Sequence, residues 1–341
     1  MGSHTHTVTD SGENLHQVTG PSWRIRARRN SGLIVSLIVF TVVVVVNRVL
    51  QPNLFDRPVL RSNLTTFLPL VLASVGQTMV VLTGAIDLSI GGIVTLVNVA
   101  TVALFGAMSG RTGMGAILLP VIVGVATGVA AGAVNGALVA YLRLQPLIAT
   151  FATNFIWMGL ALYVLPTPGG SVPDGLCRVY RGYFIGVPNS AWFIVLTFLI
   201  WYLVRRRKLG RYLYAIGGSE NSAYASGINV SAVRLTSYAL CGLFSGLSGI
   251  ALTADIASGD PLVGGPLTLS SVTAAVIGGT RLSGGEGGAA GSIVGAMILG
   301  LARNIIFFAN VPPFYQDFVY GLLVIGALAI AAASGVRRRS I

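Results

Sequence analysis

RRRKLGRYLYAIGGSENSAYASGINV, residues Arg205 to Val230, is a polar, basic interruption in a sequence that beyond residue 31 is otherwise almost entirely apolar. Its contrast with its flanks decides the fold class. The chain is 54% hydrophobic and 9% charged, with a mean hydropathy of +0.79 and 44 glycines in 341 residues. Soluble domains carry roughly 25% charged residues. The formal charge of +12 rests on 22 basic residues, nearly all arginine, in short runs beside apolar segments. That placement is the signature of membrane topology and argues against a nucleic-acid partner.

A bilayer core of ~30 Å asks for ~20 mostly apolar residues per helix. The chain offers about ten such segments, near 33–50, 64–84, 88–108, 115–141, 146–165, 190–204, 232–254, 268–280, 289–309 and 316–335. The sixth and eighth are short. The expected architecture is an all-α integral membrane protein of about ten transmembrane helices: a polar, basic, unstructured tail over 1–31, one membrane domain over 32–336 and a basic tail over 337–341. His4, His6 and His16 fall in the first tail, which reads as an unstructured terminus rather than a metal site. Cys177 and Cys241 have no ligand spacing and are read as structural.

Cytoplasmic loops collect Arg and Lys. With the N-terminus inside and ten spans, 15 of the 22 basic residues fall inside: Arg24, Arg26, Arg28, Arg29, Arg143, Arg205 to Lys208, Arg211, Arg234, Arg281 and Arg337 to Arg339. Both termini and the 205–231 loop are therefore expected in the cytoplasm, and the Pro/Gly-rich 166–189 loop outside.

Gly124, Gly128, Gly132 and Gly136 recur every fourth residue and draw a groove down one helix face, into which another backbone fits. Gly242 with Gly246, and Gly291 with Gly295, repeat the device. Polar residues inside spans are costly and point to function. Asn98, Asn135, Thr150, Asn154 and Trp157 offer hydrogen bonds and an aromatic face suited to a neutral sugar or polyol path, and the same groups serve equally as interhelical bonds. No Lys, His or Glu lies inside a span, so a proton relay is not expected.

TGAIDLSIGG, Thr83 to Gly92, reads as a span that ends, turns on glycines and restarts, with Asp87 as N-cap of the third span and Gly91 in the turn. VIGGTRLSGGEGG, 276–288, repeats the break around Gly284 and Gly285, suggesting a weak internal repeat of spans two-three and eight-nine. Gly285, Gly287 and Ala290 fit a dinucleotide fingerprint, but no strand precedes them and the acidic residue expected about twenty positions on is absent. LSGGE, Leu282 to Glu286, is like the signature of transport ATPases, yet the chain has no G-x-x-x-x-G-K-[ST] phosphate loop. No ATP hydrolysis is expected of this chain.

TGAIDLSIGG, GGSENSAYASGINV, SGDPLVG, AAVIGGTRLSGGEGG and VPPFYQ, in that order, resemble the ribose-type permease subunits of bacterial ABC importers, over about residues 60–335. The resemblance implies an inner-membrane subunit that pairs with a second permease chain, binds a cytosolic ATPase carrying the ATP, and receives a monosaccharide or related polyol from a periplasmic binding protein. Autoinducer-2, nucleosides and branched-chain amino acids are carried in sister branches, and a secondary sugar carrier is the rival outside the class. It further implies that Gly217, Ser219, Glu220, Asn221, Tyr224, Ser226, Gly227, Ile228 and Asn229 form the ATPase-coupling segment, with Ser219 or Glu220 capping a short helix and Gly227 ending it. Tyr224 departs from the alanine usual at its position.

Overall fold

The structure, a computed structural model, describes residues 31–111, 113–316, 318–322, 325 and 326. The two tails and most of the expected 316–335 span lie outside them. In chain order the helices are α1 (Ser31–Leu50), α2 (Arg57–Val81), α3 (Ile90–Ala107), α4 (Gly115–Ala140), α5 (Pro146–Val164), α6 (Asp174–Arg181), α7 (Asn189–Arg206), α8 (Lys208–Gly218), α9 (Glu220–Ala225), α10 (Val230–Ile256), α11 (Gly265–Ile277) and α12 (Ala289–Phe308). Strands β1 (Tyr183–Phe184) and β2 (Val187–Pro188) form one antiparallel hairpin between α6 and α7. Residues 313–316 and 318–322 are also helical.

Seven of these helices, α1 to α5, α10 and α12, are long and apolar enough to cross a membrane. The protein is therefore an all-α membrane protein. Helix α11, with 13 residues, is too short to span alone.

Helix α2 is the axis of the bundle, with 89% of its apolar window buried against 11% for α1. It starts earlier than its apolar run, because Pro58 suits the first turn, where no N–H partner is required. Pro69 inside α2 has no N–H to give Thr65, and the carbonyl this frees accepts the Tyr180 hydroxyl at 2.7 Å. Burial pushes the Tyr180 hydroxyl well above its usual pKa, which keeps it a donor.

The α4 glycines pack on α10 backbone to backbone. A methyl at Gly128 would lie 2.6 Å from Gly242 O, and one at Gly132 would lie 2.8 Å from Gly242 Cα. Gly291 and Gly295 bring α12 equally close to α11 at Gly278 and Ala274. Small residues replace side-chain interdigitation at both seams.

Contacts define the two ends of the bundle. Turns 82–89 and 278–288 meet α8 at one end, where Gly285 N donates to Leu82 O at 3.1 Å. At the other, Gly169 and Gly259 pair through two bonds of 2.9 Å, and the Tyr183 hydroxyl donates to Arg57 O at 3.1 Å. The 166–189 segment, expected as a plain loop, contains α6 and the hairpin. The basic stretch after Arg205 is also helical, as α8.

Candidate functional site

Helix α2 ends because Gly84 takes φ +80°, after Thr83 N and Gly84 N close a tight turn on Val80 O and Val81 O. Residues 85–89 are not helical, yet Asp87 and Ser89 are fully buried. A helix that begins there has free N–H groups and no water to satisfy them.

Neighbouring helices supply the acceptors. Gly91 N donates to Thr268 Oγ1 of α11 at 3.1 Å, and Gly92 N to Asn154 Oδ1 of α5 at 3.0 Å. Leu88 N donates to Thr150 Oγ1 at 3.0 Å, and Asn135 Nδ2 of α4 to Ser89 Oγ at 2.5 Å. Gln77, its amide oriented as the network requires, donates to Asp87 O at 3.0 Å and accepts from Asp87 N at 3.2 Å. The break is splinted from four helices.

Two expectations are corrected here. Ser89, not Asp87, occupies the N-cap position of α3; the Asp87 carboxylate sits two residues earlier and accepts from Ser89 N at 2.8 Å and Ser89 Oγ at 2.6 Å. Gly91 is not a turn residue but the second residue of α3. It is small because a methyl there would fall 2.6 Å from Gly264 O and closer still to Thr268 Oγ1.

The structure thus brings Asn135, Thr150 and Asn154 together around the α2–α3 break, with Trp157 packed against Gly92. Asn98 lies apart. Its amide donates to Thr253 Oγ1 at 2.8 Å and Ser258 O at 3.0 Å and accepts from Asp260 N at 2.8 Å, while Thr95 Oγ1 accepts from Gly264 N at 3.0 Å. Asn98 and Thr95 hold the non-helical 257–264 segment against α3. Such backbone is tolerated at membrane depth only when protein satisfies it.

At the other polar cluster, Ser219 caps α9, its hydroxyl accepting from Ser222 N at 3.3 Å. Helix α9 ends in a reciprocal pair of bonds, Gly227 N to Tyr224 O at 2.9 Å and Ile228 N to Ala223 O at 3.1 Å, with Gly227 at φ +79°. That is the Schellman arrangement, which selects glycine at the left-handed position and an apolar residue after it. Asn229 then caps α10, accepting from Ala232 N at 3.0 Å. Ser226, Gly227, Ile228 and Asn229 therefore encode one helix end and the next helix start. Ser226 Oγ adds a bond to Ser222 O at 2.8 Å.

Helix α9 faces outward, with Tyr224 74% exposed. Glu220 pairs with Arg234 at 2.6 Å. Beside it a cleft of about 450 Å³ is lined by Arg143, Gln145, Glu220, Asn221, Tyr224 and Arg234. Behind α9, Gly217 touches both broken-helix turns: a methyl there would run into Leu82 O and Gly285 N and lie 2.9 Å from Gly284 C. Gly284 and Gly285 take φ +85° and +74°. The Tyr214 hydroxyl donates to Gly287 O at 2.7 Å, and burial raises its pKa so that the proton stays. Gln77, Thr95 and Thr268 belong to no sequence motif. Their only local signal is a polar or small residue inside an apolar run.

Among the described residues no cluster of His, Cys, Asp and Glu suits a metal ion. A family model described as branched-chain amino acid transport system / permease component matches residues 59–328. The chain is 39% identical over 263 residues to the ribose import permease protein RbsC of Bacillus subtilis strain 168, covering 76% of this chain and 80% of that one. It is 34% identical over 303 residues to RbsC of Escherichia coli K12, covering 86% and 92%. To the D-allose transport system permease protein AlsC of the same strain it is 32% identical over 265 residues, covering 76% and 79%. With its apolar helices, this kinship makes it a multi-pass inner-membrane protein and a transport subunit rather than a catalytic enzyme. The chain belongs to the branched-chain amino acid transport system / permease component family and, within it, to the ribose-type ABC importer permeases.

Proposed function

We propose that the chain is the membrane-spanning subunit of an ATP-driven importer for a monosaccharide or related polyol. A periplasmic binding protein delivers the solute to the end carrying α6 and the hairpin. A cytosolic ATPase, which binds the ATP, docks at the opposite end on Gly217 to Val230. A second permease chain completes the path, and the bundle alternates between outward and inward openings. Helix α7, helix α11 with its flanking turns, and the expected 316–335 span bring the spans to about ten, with both termini in the cytoplasm.

The observation that carries this reading is the three-way backbone contact at Gly217. Exposed α9 is joined through it to both interrupted helix pairs, so a force applied at α9 reaches the membrane interior. For the solute, support comes from relatives named for ribose and allose, both monosaccharides.

The test is uptake of labelled D-ribose, D-allose and D-xylose into vesicles with and without the partner ATPase and binding protein. Uptake that needs both and ATP supports the proposal; uptake by this chain alone would establish a secondary carrier instead. The family description names branched-chain amino acids, so unlabelled L-leucine is the competitor to include. Inhibition by leucine, with no sugar uptake, would reassign the solute.

A further inference from the structure

Helices α2, α10, α11 and α12, with the helical residues 318–322, enclose a cleft of about 250 Å³ at the outer end of the bundle. Its polar lining is Thr66, Asp255, Ser270, Arg303, Asn304 and Tyr320. The volume lies just below the ~300 Å³ at which small-molecule pockets begin, which fits a ligand smaller than a drug.

The lining is unusual in what it leaves unused. Asp255 and Arg303 carry opposite formal charges, yet neither takes part in the ion pairs found among the described residues. Asp255 accepts from the Arg181 guanidinium through its backbone carbonyl; that charge lies near its carboxylate without hydrogen-bonding to it, which leaves the carboxylate oxygens for another donor. The Arg303 guanidinium lies over the Tyr320 ring, 4.6 Å from its centre. Asn304 gives its amide nitrogen to Asn63 Oδ1 at 3.0 Å and keeps its carbonyl oxygen. Ser270 Oγ and the Tyr320 hydroxyl stand 3.5 Å apart, too far for a strong bond.

Arg303 lies five residues inside the end of α12, or about 7.5 Å at 1.5 Å per residue. Charges at such depth are retained where they face a polar path rather than hydrocarbon. An ion would call for one sign of charge. A carboxylate acceptor, a guanidinium donor, an amide oxygen and two hydroxyls on apolar walls instead suit a neutral ligand bearing several hydroxyls.

In the cluster around the α2–α3 break, Thr150 Oγ1 and Asn154 Oδ1 are occupied by backbone N–H groups and Asn135 Nδ2 by Ser89, while Asn135 Oδ1, Asp87 Oδ2 and Trp157 Nε1 are buried without a protein partner. A bond spent on a helix start is not available to a passing solute, and the unpaired atoms there are sealed inside the bundle.

We infer that the cleft between α2, α10, α11 and α12 is where the solute touches this chain, with Asp255, Arg303 and Asn304 contacting its hydroxyls. The inference rests on the monosaccharide reading above. Asp255→Asn and Arg303→Gln in the complete importer are expected to lower the maximum uptake rate of the transported sugar at least tenfold. ATP hydrolysis stimulated by loaded binding protein should stay within twofold of wild type, which a collapsed bundle would not permit. As a measurement independent of transport, Thr66→Cys in a Cys177→Ser background should react from outside with a membrane-impermeant cationic thiosulfonate. Uptake within twofold of wild type in both charge variants, or no labelling at position 66, would overturn the assignment. A wild-type importer that takes up none of D-ribose, D-allose and D-xylose would sink the monosaccharide reading and the ligand class with it; failure of the cleft alone leaves wild-type uptake intact.

Discussion

Gly217 and Gly218 are adjacent at the end of α8, and the structure treats them in opposite ways. A methyl added at Gly218 meets nothing within 4 Å, whereas one at Gly217 collides with Leu82 O and Gly285 N and lies 2.9 Å from Gly284 C. Ordinary carbon contacts are about 3.5 Å or longer. Relieving even the mildest of the three contacts, at Gly284 C, moves the 281–285 turn by about 0.6 Å, and those at Leu82 O and Gly285 N require more. That shift stretches the Gly285 N to Leu82 O bond from 3.1 Å to about 3.7 Å, outside hydrogen-bonding range. The lost bond, with Leu82 buried, costs about 1–3 kcal/mol and the overpacking about as much again. Gly217→Ala should thus destabilise the joint by roughly 2–6 kcal/mol, lowering the melting temperature of the detergent-solubilised protein on the order of 5–15 °C. Gly218→Ala, which gains helix propensity without a clash, should melt within a degree or two of wild type. The assay is a thermal melt of both variants, followed by sugar uptake and ATP hydrolysis in the full importer. Equal melting temperatures for the two variants would refute the packing argument. Wild-type uptake by a destabilised Gly217→Ala protein would refute the joint's part in coupling.

At the α4–α10 seam, Gly132→Leu forces a side chain where Gly242 Cα stands 2.8 Å from the site of a methyl and should cost more than about 3 kcal/mol. Gly159→Leu, with open space around it, should leave the melt unchanged. Asn154→Ala strips the acceptor from Gly92 N and is expected to destabilise by about 1–3 kcal/mol in the same melt. Gly227 sits at φ +79° with nothing within 4 Å of a methyl, so its substitutions act through backbone strain, about 1–2 kcal/mol for most residues and less for asparagine. Gly227→Leu should abolish uptake while the protein stays in the membrane, and Gly227→Asn should retain most of it; equal uptake by both would detach Gly227 from coupling.

The spans and the small-residue seams were legible because each follows from a one-dimensional rule. About twenty apolar residues make a span, and glycine every fourth residue makes a close seam, so Gly128 and Gly132 announced a close backbone partner, which the structure identifies as α10. Gly227 was legible as a helix end because capping chemistry is local, whereas Asn229 as the cap of α10 emerges only from the structure. Asp87 was misread because cap rules look for an acceptor at the helix start, whereas α3 takes its acceptors from Thr268 and Asn154, 177 and 62 residues away. Gly91 was misread for a related reason. A glycine beside a turn looks like part of the turn, but this one is small to admit Gly264 from a distant segment. Hairpin β1–β2 gave no signal, since its tip places Ile185 at φ +53°, where asparagine or glycine would be expected. The Asp255–Arg303 cleft has no sequence signal because its two charges lie on separate spans, α10 and α12, and come to one cleft only where those helices converge.

The physical character of the joint decides what kind of motion it can carry. Side chains that meet across an interface change rotamer and absorb small displacements, but Gly217, Leu82 and Gly284 meet through main-chain atoms and have no rotamers to yield. A displacement of α8 is therefore passed undiminished to the ends of α2 and α11 and the starts of α3 and α12. At the start of α3, Gly91 N and Gly92 N are each held by one acceptor, on α11 and α5, through bonds that can rotate or exchange at about 1 kcal/mol each. Coupling between sites requires an element with two arrangements, and under the proposed function a half-helix on exchangeable tethers, moved by a stiff lever, is the element that supplies them. It follows that weakening the tethers should act differently from jamming the lever. Asn154→Ala and Thr268→Val together should loosen the coupling, raising basal ATP hydrolysis relative to uptake, whereas Gly217→Ala should depress both. If the tether variants and the lever variant gave the same ratio of hydrolysis to uptake, the division of the joint into a rigid and a yielding part would be wrong.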